Sequence, residues 1–157
     1  MMDQEQFWMV PSGEDEKVAF FIEDLDFAFD QEEATTNWME KVAETENAKL
    51  HQVNYIFCSD EYLHQMNVDY LDHDTLTDII TFPYAEPPLL NGDVFISVDR
   101  VRENATTYQV PFEVELHRVM IHGLLHLCGY GDKTPEEKQI MTQKEDAALA
   151  LMPDFLG

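Results

Sequence analysis

Apolar residues along this chain recur with the periods of short strands and of amphipathic helices. Four segments have the alternating or β-branched apolar pattern of strands. They are residues 18–22, 51–58, 78–82 and 93–98. Five segments have helical spacing or a capping signal. They are residues 34–48, 59–70, 99–108, a stretch that begins near 112, and residues 135–150. The pattern predicts an α+β fold in a single domain, with a small mixed β-sheet packed with helices.

Turn and capping residues add expectations about the connections between these elements. A short proline-rich connection joins the strands at 78–82 and 93–98, which favours a hairpin. Asp99 is expected to cap the helix that precedes Pro111. Thr134 to Glu137 forms a capping box with proline at the first helical position, so the last helix is expected to begin there.

Length and composition limit the class of protein. The 157 residues are enough for one domain with a hydrophobic core, and we predict an acidic, flexible segment over residues 1–17 before a domain over 18–157. Residues 1–17 lack the pattern of a signal peptide, and no stretch has the ~20 apolar residues of a membrane span. Cys58 and Cys128 do not form a paired motif, which favours a reducing compartment. A cytoplasmic protein without membrane contact is expected.

The segment from residue 120 to 132 contains candidate metal ligands. His122 and His126 are four residues apart, so on a helix their imidazoles lie on the same face. Gly129 can adopt the left-handed conformation that ends a helix, after which the chain can bring Asp132 back beside the imidazoles. Two imidazoles and one carboxylate make a three-ligand metal site with a position left for water. The segment predicts a metal-dependent hydrolase with His122, His126 and Asp132 as ligands to one ion, and Zn²⁺ is the first choice.

The spacing also resembles that of zinc proteases, but one residue argues against peptide hydrolysis. Those enzymes have a glutamate directly after the first histidine, and it acts as the general base. Gly123 occupies that position here. A protease is therefore not expected.

The same segment is similar to the signature H-G-x-L-H-L-x-G-Y-D-H of the YbeY family, metal-dependent bacterial endoribonucleases involved in ribosomal RNA maturation. Three further blocks resemble that family's L-N-x-x-Y, T-D-V-L-S-F-P and G-D-I-x-I segments in the same order. They are residues 66–70, 77–83 and 92–96. The chain departs from the family pattern at three positions. Asp132 replaces a histidine, Gly131 replaces an aspartate, and Leu71 replaces the usual arginine.

The resemblance implies a metal-dependent endoribonuclease specific for single-stranded RNA, acting in ribosomal RNA maturation and ribosome quality control. Ribosomal RNA would be the substrate, and the ribosome or ribosomal proteins would be partners. Two alternatives stay open. Two histidines and a carboxylate also form the facial triad of non-heme iron oxygenases. A ribosome assembly factor could instead use a fully enclosed metal only to hold the last two helices together.

Arg118 is the candidate catalytic residue. It shares one helical face with Glu115, His122 and His126, and it could meet the scissile phosphate in place of the family arginine that Leu71 replaces. The simpler interpretation is a surface ion pair between Glu115 and Arg118. His117 lies on another face and is left out of the site. His73 lies in a charged loop and is expected to be exposed rather than a ligand.

The charge of the chain is unfavourable for binding RNA. Its formal net charge is −23, which repels a polyanion. A metal ion, a local positive patch or a ribosomal partner would have to offset that field.

Overall fold

The computed structural model describes residues 17–71 and 77–156. These residues form a four-stranded sheet with the order β1-β2-β4-β3. The strands are β1 (Val18–Ile22), β2 (Lys49–Cys58), β3 (Ile79–Pro83) and β4 (Leu89–Ser97). β1 and β4 pair with β2 in parallel, whereas β3 and β4 pair in antiparallel orientation. The predicted mixed sheet and the predicted hairpin are both confirmed.

Six helices accompany the sheet in the described residues. They are α1 (Glu32–Thr45), α2 (Asp60–Leu71), α3 (Val98–Tyr108), α4 (Phe112–Leu127), α5 (Pro135–Leu151) and α6 (Pro153–Leu156). The first five correspond to the predicted helices with boundaries shifted by a few residues, and α6 was not predicted. None of these helices is long and apolar enough to cross a membrane. The expectations of a flexible segment over residues 1–17 and of an exposed His73 concern residues 1–16 and 72–76, which lie outside the described residues.

The sheet has a hydrophobic core on each face because successive side chains of a strand point to opposite sides. The larger core joins the sheet to α1 and α4, and its fully buried members include Trp38, Tyr55, Phe57, Ile96, Met120 and Leu124. The smaller core joins the sheet to α2, and it contains Ile56, Cys58, Leu63, Ile80 and Phe95. α4 therefore lies directly on the sheet.

Gly123 allows α4 to lie this close to the strands. A Cβ atom at this position would lie 2.8 Å from Cγ1 of Val94 on β4 and 3.1 Å from Cδ1 of Ile79 on β3. The position after the first histidine thus faces the sheet rather than solvent. A glutamate there, as in the zinc proteases, would be buried against β4, so the structure has no room for that general base.

One capping expectation was wrong. Ser97, not Asp99, is the N-cap of α3, and its Oγ accepts a hydrogen bond from the N–H of Arg100 at 3.0 Å. The N-cap lies two residues earlier than expected, so Asp99 lies in the first turn of the helix. Oδ2 of Asp99 instead accepts from the N–H of Asp60 at 2.9 Å, which ties the start of α3 to the start of α2.

Candidate metal centre

α4 presents one face to the core and the opposite face to an open cleft. Its sheet-facing residues are buried, whereas the side chains of His122 and His126 are 20% and 28% exposed. The two Nε2 atoms lie 3.0 Å apart, as expected for imidazoles four residues apart on one helix.

The end of α4 fixes the orientation of the second histidine. Gly129 has φ +106°, its N–H donates to the carbonyl of His126 at 2.9 Å, and the N–H of Tyr130 donates to the carbonyl of Leu125 at 3.1 Å. This pair of bonds is a Schellman motif, which requires a left-handed residue where the glycine stands. The turn places the carbonyl of Tyr130 2.9 Å from Nδ1 of His126. A carbonyl only accepts, so Nδ1 of His126 carries the proton and Nε2 is left with a lone pair.

The loop that follows brings Asp132 to the histidines. Oδ2 of Asp132 lies 3.2 Å from Nε2 of His122 and 3.3 Å from Nε2 of His126. The next residues are held by the predicted capping box, in which Oε1 of Glu137 accepts from the N–H groups of Lys133 and Thr134 at 3.0 and 3.1 Å. These backbone bonds lower the pKa of Glu137. The capping box therefore holds the ligand loop as well as the start of α5.

A residue that the sequence did not indicate completes the surroundings of His122. Oε2 of Glu145, on α5, accepts from Nδ1 of His122 at 2.6 Å. Glu145 is only 8% exposed and shares the buried stripe of α5 with Met141 and Ala148. An acid at helical spacing within an apolar stripe is the sequence signal that could have pointed to it. A carboxylate or carbonyl on the distal nitrogen of each histidine is a common arrangement around protein-bound metals.

The three donor atoms fit a metal ion. Nε2 of His122, Nε2 of His126 and Oδ2 of Asp132 lie within 4.8 Å of one another and form the metal-binding group found among the described residues. Their separations of 3.0, 3.2 and 3.3 Å match the roughly 3.3 Å between ligands at about 2.0–2.1 Å from a tetrahedral zinc ion. Because both Nδ1 atoms donate hydrogen bonds, the two Nε2 atoms and Oδ2 of Asp132 each direct a lone pair toward the same point. A proton there could relieve the repulsion in only one of the three pairs of atoms, whereas a divalent cation could bind all three lone pairs.

The electrostatics of the centre favour positive charge. Burial by itself lowers the pKa of His122, but the hydrogen bond to Glu145 and the charges of Glu145 and Asp132 outweigh it, so the pKa is raised. The negative charges of Glu145 and Asp132 therefore favour a cation at this site.

These residues line a cleft of about 840 Å³. Among the described residues, its charged lining consists of Asp78, Glu115, Arg118, Asp132, Lys133 and Glu145. Burial raises the pKa of Asp78, and burial followed by the charge of Asp78 raises the pKa of Glu115. The cleft is open and predominantly acidic.

Arg118 lines this cleft but does not pair with Glu115. Its Nη1 lies 2.9 Å from Oε1 of Glu145, and its Nη2 lies 2.7 Å from Oδ1 of Asp146. Glu115 is 5% exposed, so the simple surface pair expected from the helical spacing is replaced by contacts with α5. His117 is buried on the other side of α4, where Nδ1 donates to the carbonyl of Glu113 and Nε2 lies 3.4 Å from Oγ1 of Thr35.

Comparison with known proteins confirms the resemblance seen in the sequence. The chain matches the family described as Endoribonuclease YbeY over residues 19–152. A relative of that name from Flavobacterium johnsoniae is 48% identical over 128 residues, which cover 82% of this chain and 92% of the relative. Another, from Cytophaga hutchinsonii, is 50% identical over 138 residues, which cover 87% and 96%. The solution structure of TM1509 from Thermotoga maritima is similar with a TM-score of 0.66 and 27% identity, covering 86% of this chain and 88% of that one. Matches over most of both chains show that this chain belongs to the Endoribonuclease YbeY family.

Proposed function

We propose that this protein cleaves single-stranded RNA in a metal-dependent reaction, with ribosomal RNA as its substrate. Endoribonuclease activity, the hydrolysis of RNA phosphodiester bonds, follows from membership of the family. The observation that carries the metal dependence is the convergence of His122, His126 and Asp132 in an open cleft.

Zinc is the ion we propose for this site. His122 and His126 would bind through Nε2 and Asp132 through Oδ2, while Glu145 and the carbonyl of Tyr130 hold the two imidazoles in the tautomer that binding requires. When bound, a zinc ion supplies Lewis-acid polarisation of a phosphoryl oxygen and acidifies water. Binding and orientation of the RNA would depend on the side chains that line the cleft. The side chain of Asp132 is 39% exposed and lines the cleft, so a substrate in the cleft could reach an ion bound there.

Arg118 is proposed to contact the scissile phosphate. Its guanidinium lies on the cleft-facing side of α4, one turn before His122. Two of its five N–H groups are taken by Glu145 and Asp146, so the remaining donors can meet a phosphate oxygen. Because both neighbouring acids already balance its charge, Arg118 would act as an oriented donor more than as a net positive charge.

Two different observations weigh against the two alternative functions. A metal that only joins the last two helices would be enclosed, whereas His126 and Asp132 are 28% and 39% exposed. The donor spacing alone suits an iron triad as well as zinc, but the relatives that match most of this chain are named endoribonucleases. A phosphodiesterase is therefore the better-supported function.

The ribosome remains the proposed partner because the chain carries a net charge of −23. A polyanionic substrate would meet strong repulsion unless a partner delivered it.

We place the reaction in the cytoplasm, since Cys58 and Cys128 are free thiols, as expected in a reducing compartment.

One experiment tests the proposal directly. Purified protein is analysed for bound metal and assayed on matched single-stranded and double-stranded RNA, with and without added zinc. We expect about one zinc per chain and cleavage confined to the single strand. Cleavage that is unchanged after complete metal removal, or bound metal with no cleavage of either RNA, would contradict it.

A further inference from the structure

The cleft contains one cation, Lys133, that forms no ion pair with an acid of the described residues. All nine Lys and Arg residues of the chain fall within the described residues, and only Arg118 and Lys133 line the cleft. Arg118 has two carboxylate partners, Glu145 and Asp146. Lys133 is exposed, and no carboxylate of the described residues lies within ion-pair distance of its ammonium group. Lys133 is therefore the unbalanced positive charge in the described lining.

The backbone of Lys133 is fixed next to the metal centre. It directly follows Asp132, and its N–H donates to Oε1 of Glu137 at 3.0 Å. Its ammonium group therefore extends from an anchored position beside a proposed metal ligand. A phosphate held there would be close to the ion.

The cleft also contains an exposed aromatic ring. Apart from the histidines, Tyr108 is the one aromatic residue in the described lining, and it is 62% exposed. Within the described residues its ring stacks on no other ring and its hydroxyl has no hydrogen-bond partner. Stacking on a base needs no positive field, because every base has an aromatic face. That mode of binding suits a protein with so many acids.

Tyr108 and Lys133 lie beyond opposite ends of α4. Tyr108 is the last residue of α3, which precedes α4, and Lys133 belongs to the loop that follows α4. Between them, α4 lines the cleft from Glu115 to Leu127 and carries both histidines. A strand that contacts both residues would have to run along α4 and past the metal centre.

We propose that Tyr108 and Lys133 hold the single-stranded substrate, Tyr108 by stacking on a base and Lys133 by contacting a phosphate, so that the strand runs along α4. This inference rests on the proposed function and adds to it the residues that select an unpaired strand. Bases in a duplex are stacked on their neighbours and cannot offer a free face to Tyr108. The ring would therefore favour single strands.

Binding of a labelled 2′-O-methyl oligonucleotide to the zinc-loaded protein tests the role of Tyr108. We expect Tyr108→Leu to weaken binding about ten-fold and Tyr108→Phe to retain it. An oligonucleotide with one abasic position gives a double-mutant cycle. The abasic position is moved along the strand. If the ring stacks on one particular base, then the oligonucleotide that lacks this base will bind Tyr108→Leu and the natural chain with equal affinity. Losses that simply add at every position overturn the stacking role.

The salt dependence of binding tests Lys133. Each phosphate contact to a single strand contributes about 0.7 to the slope of log affinity against log salt. We expect Lys133→Gln to weaken binding and to reduce that slope by about 0.7, and an unchanged slope overturns the phosphate contact.

Matched controls come from residues outside the cleft lining. They are Tyr70→Leu, an aromatic residue that is 71% exposed, and Lys138→Gln, an exposed lysine on α5. Equal losses in these variants overturn the assignment to Tyr108 and Lys133. If the variants bind the oligonucleotide more weakly than the natural chain as expected, but the natural chain cleaves no RNA, the proposed nuclease function fails while the strand-holding role stands. If it cleaves RNA and the variants bind normally, the strand-holding role alone fails.

Discussion

Oε2 of Glu145 lies 2.6 Å from Nδ1 of His122, while Oε1 of the same carboxylate lies 2.9 Å from Nη1 of Arg118. One buried carboxylate thus joins a proposed metal ligand to the proposed phosphate-binding guanidinium. Because the carboxylate accepts a hydrogen bond from Nδ1–H, the proton stays on Nδ1 and Nε2 of His122 is free to bind a cation. The position of Glu145 on α5 also means that the packing of α5 on α4 decides the geometry of the centre.

We predict that Glu145→Gln lowers zinc affinity about 10- to 100-fold, as is typical when the hydrogen-bond partner of a metal-binding histidine is lost. The amide removes the charge that stabilises the imidazole and cannot accept from both His122 and Arg118. Competition with a coloured zinc chelator measures the affinity. The control is Asp146→Asn, because Asp146 also pairs with Arg118 but contacts no histidine within the described part of the chain. Equal affinities in the two variants would show that Glu145 does not position the ligand.

We predict that His122→Ala or His126→Ala removes most of the bound zinc and the RNA cleavage. The fold should remain, since both side chains face the cleft rather than the core. Metal analysis and near-ultraviolet circular dichroism measure the two effects. His51→Ala is the control, because His51 is exposed and lies outside the cleft lining. If the double alanine variant still bound one zinc per chain, neither histidine would be a ligand of the ion.

The sequence predicted the parts of the centre that depend on local spacing. His122 and His126 are one helical turn apart, and the left-handed Gly129 ends the helix so that Asp132 can return. Glu145 could not be predicted in this way, because its contact with His122 joins residues 23 apart and depends on how two helices pack. Local spacing could single out Glu145 as an acid within an apolar stripe, but it could not identify His122 as its partner.

The simpler interpretation of Arg118, a surface ion pair with Glu115, failed for the same reason. The helical spacing of Glu115 and Arg118 suggested a local ion pair, but Arg118 bonds to residues 27 and 28 positions later. A pair on an isolated helix contributes only about 0.2–0.5 kcal/mol, so tertiary contacts easily replace it. All four strands were found because a run of apolar and β-branched residues is a local property of the chain, although β4 begins at Leu89 rather than at residue 93.

We predict that Gly123→Ala lowers the free energy of unfolding by about 1 kcal/mol. Alanine favours the helix by about 1 kcal/mol relative to glycine, but the new Cβ would lie 2.8 Å from Cγ1 of Val94, and overpacking in a core costs about 1–3 kcal/mol. Val94 is fully buried and its short side chain cannot move aside. Urea unfolding measures the change. An alanine variant more stable than the natural chain would show that α4 can move away from the sheet at little cost.

We predict that His117 makes the fold less stable at acidic pH. His117 is 2% exposed, and burial is the main reason that its pKa lies below the ordinary value of 6.5. In the unfolded chain the imidazole takes up a proton near pH 6.5, whereas the folded protein keeps it neutral to lower pH. The stability that His117 contributes is therefore present above about pH 6.5 and is lost as the pH falls through the folded pKa.

Urea unfolding of the natural chain and of His117→Asn between pH 7.5 and pH 5 tests this prediction. The carboxylates titrate in both proteins, so the difference between them isolates His117. Below pH 6.5 the natural chain should lose up to about 1.4 kcal/mol per pH unit more than the variant. Parallel stability curves would show that His117 does not titrate between the folded and unfolded states.

We predict that Arg118→Ala leaves the zinc content unchanged and lowers RNA cleavage ten-fold or more, which corresponds to about 1.4 kcal/mol of transition-state stabilisation. Zinc should remain because Glu145 still accepts from His122 in this variant. Arg118→Lys should fall between, since lysine keeps the charge but loses the planar set of donors. Arg102→Ala is the control, because the Arg102 guanidinium lies over the ring of Phe112 at 4.7 Å and lies outside the cleft lining. Single-turnover cleavage rates and metal analysis measure both properties. If the alanine variant cleaves RNA at the natural rate with full zinc, Arg118 serves only to pair with Glu145 and Asp146.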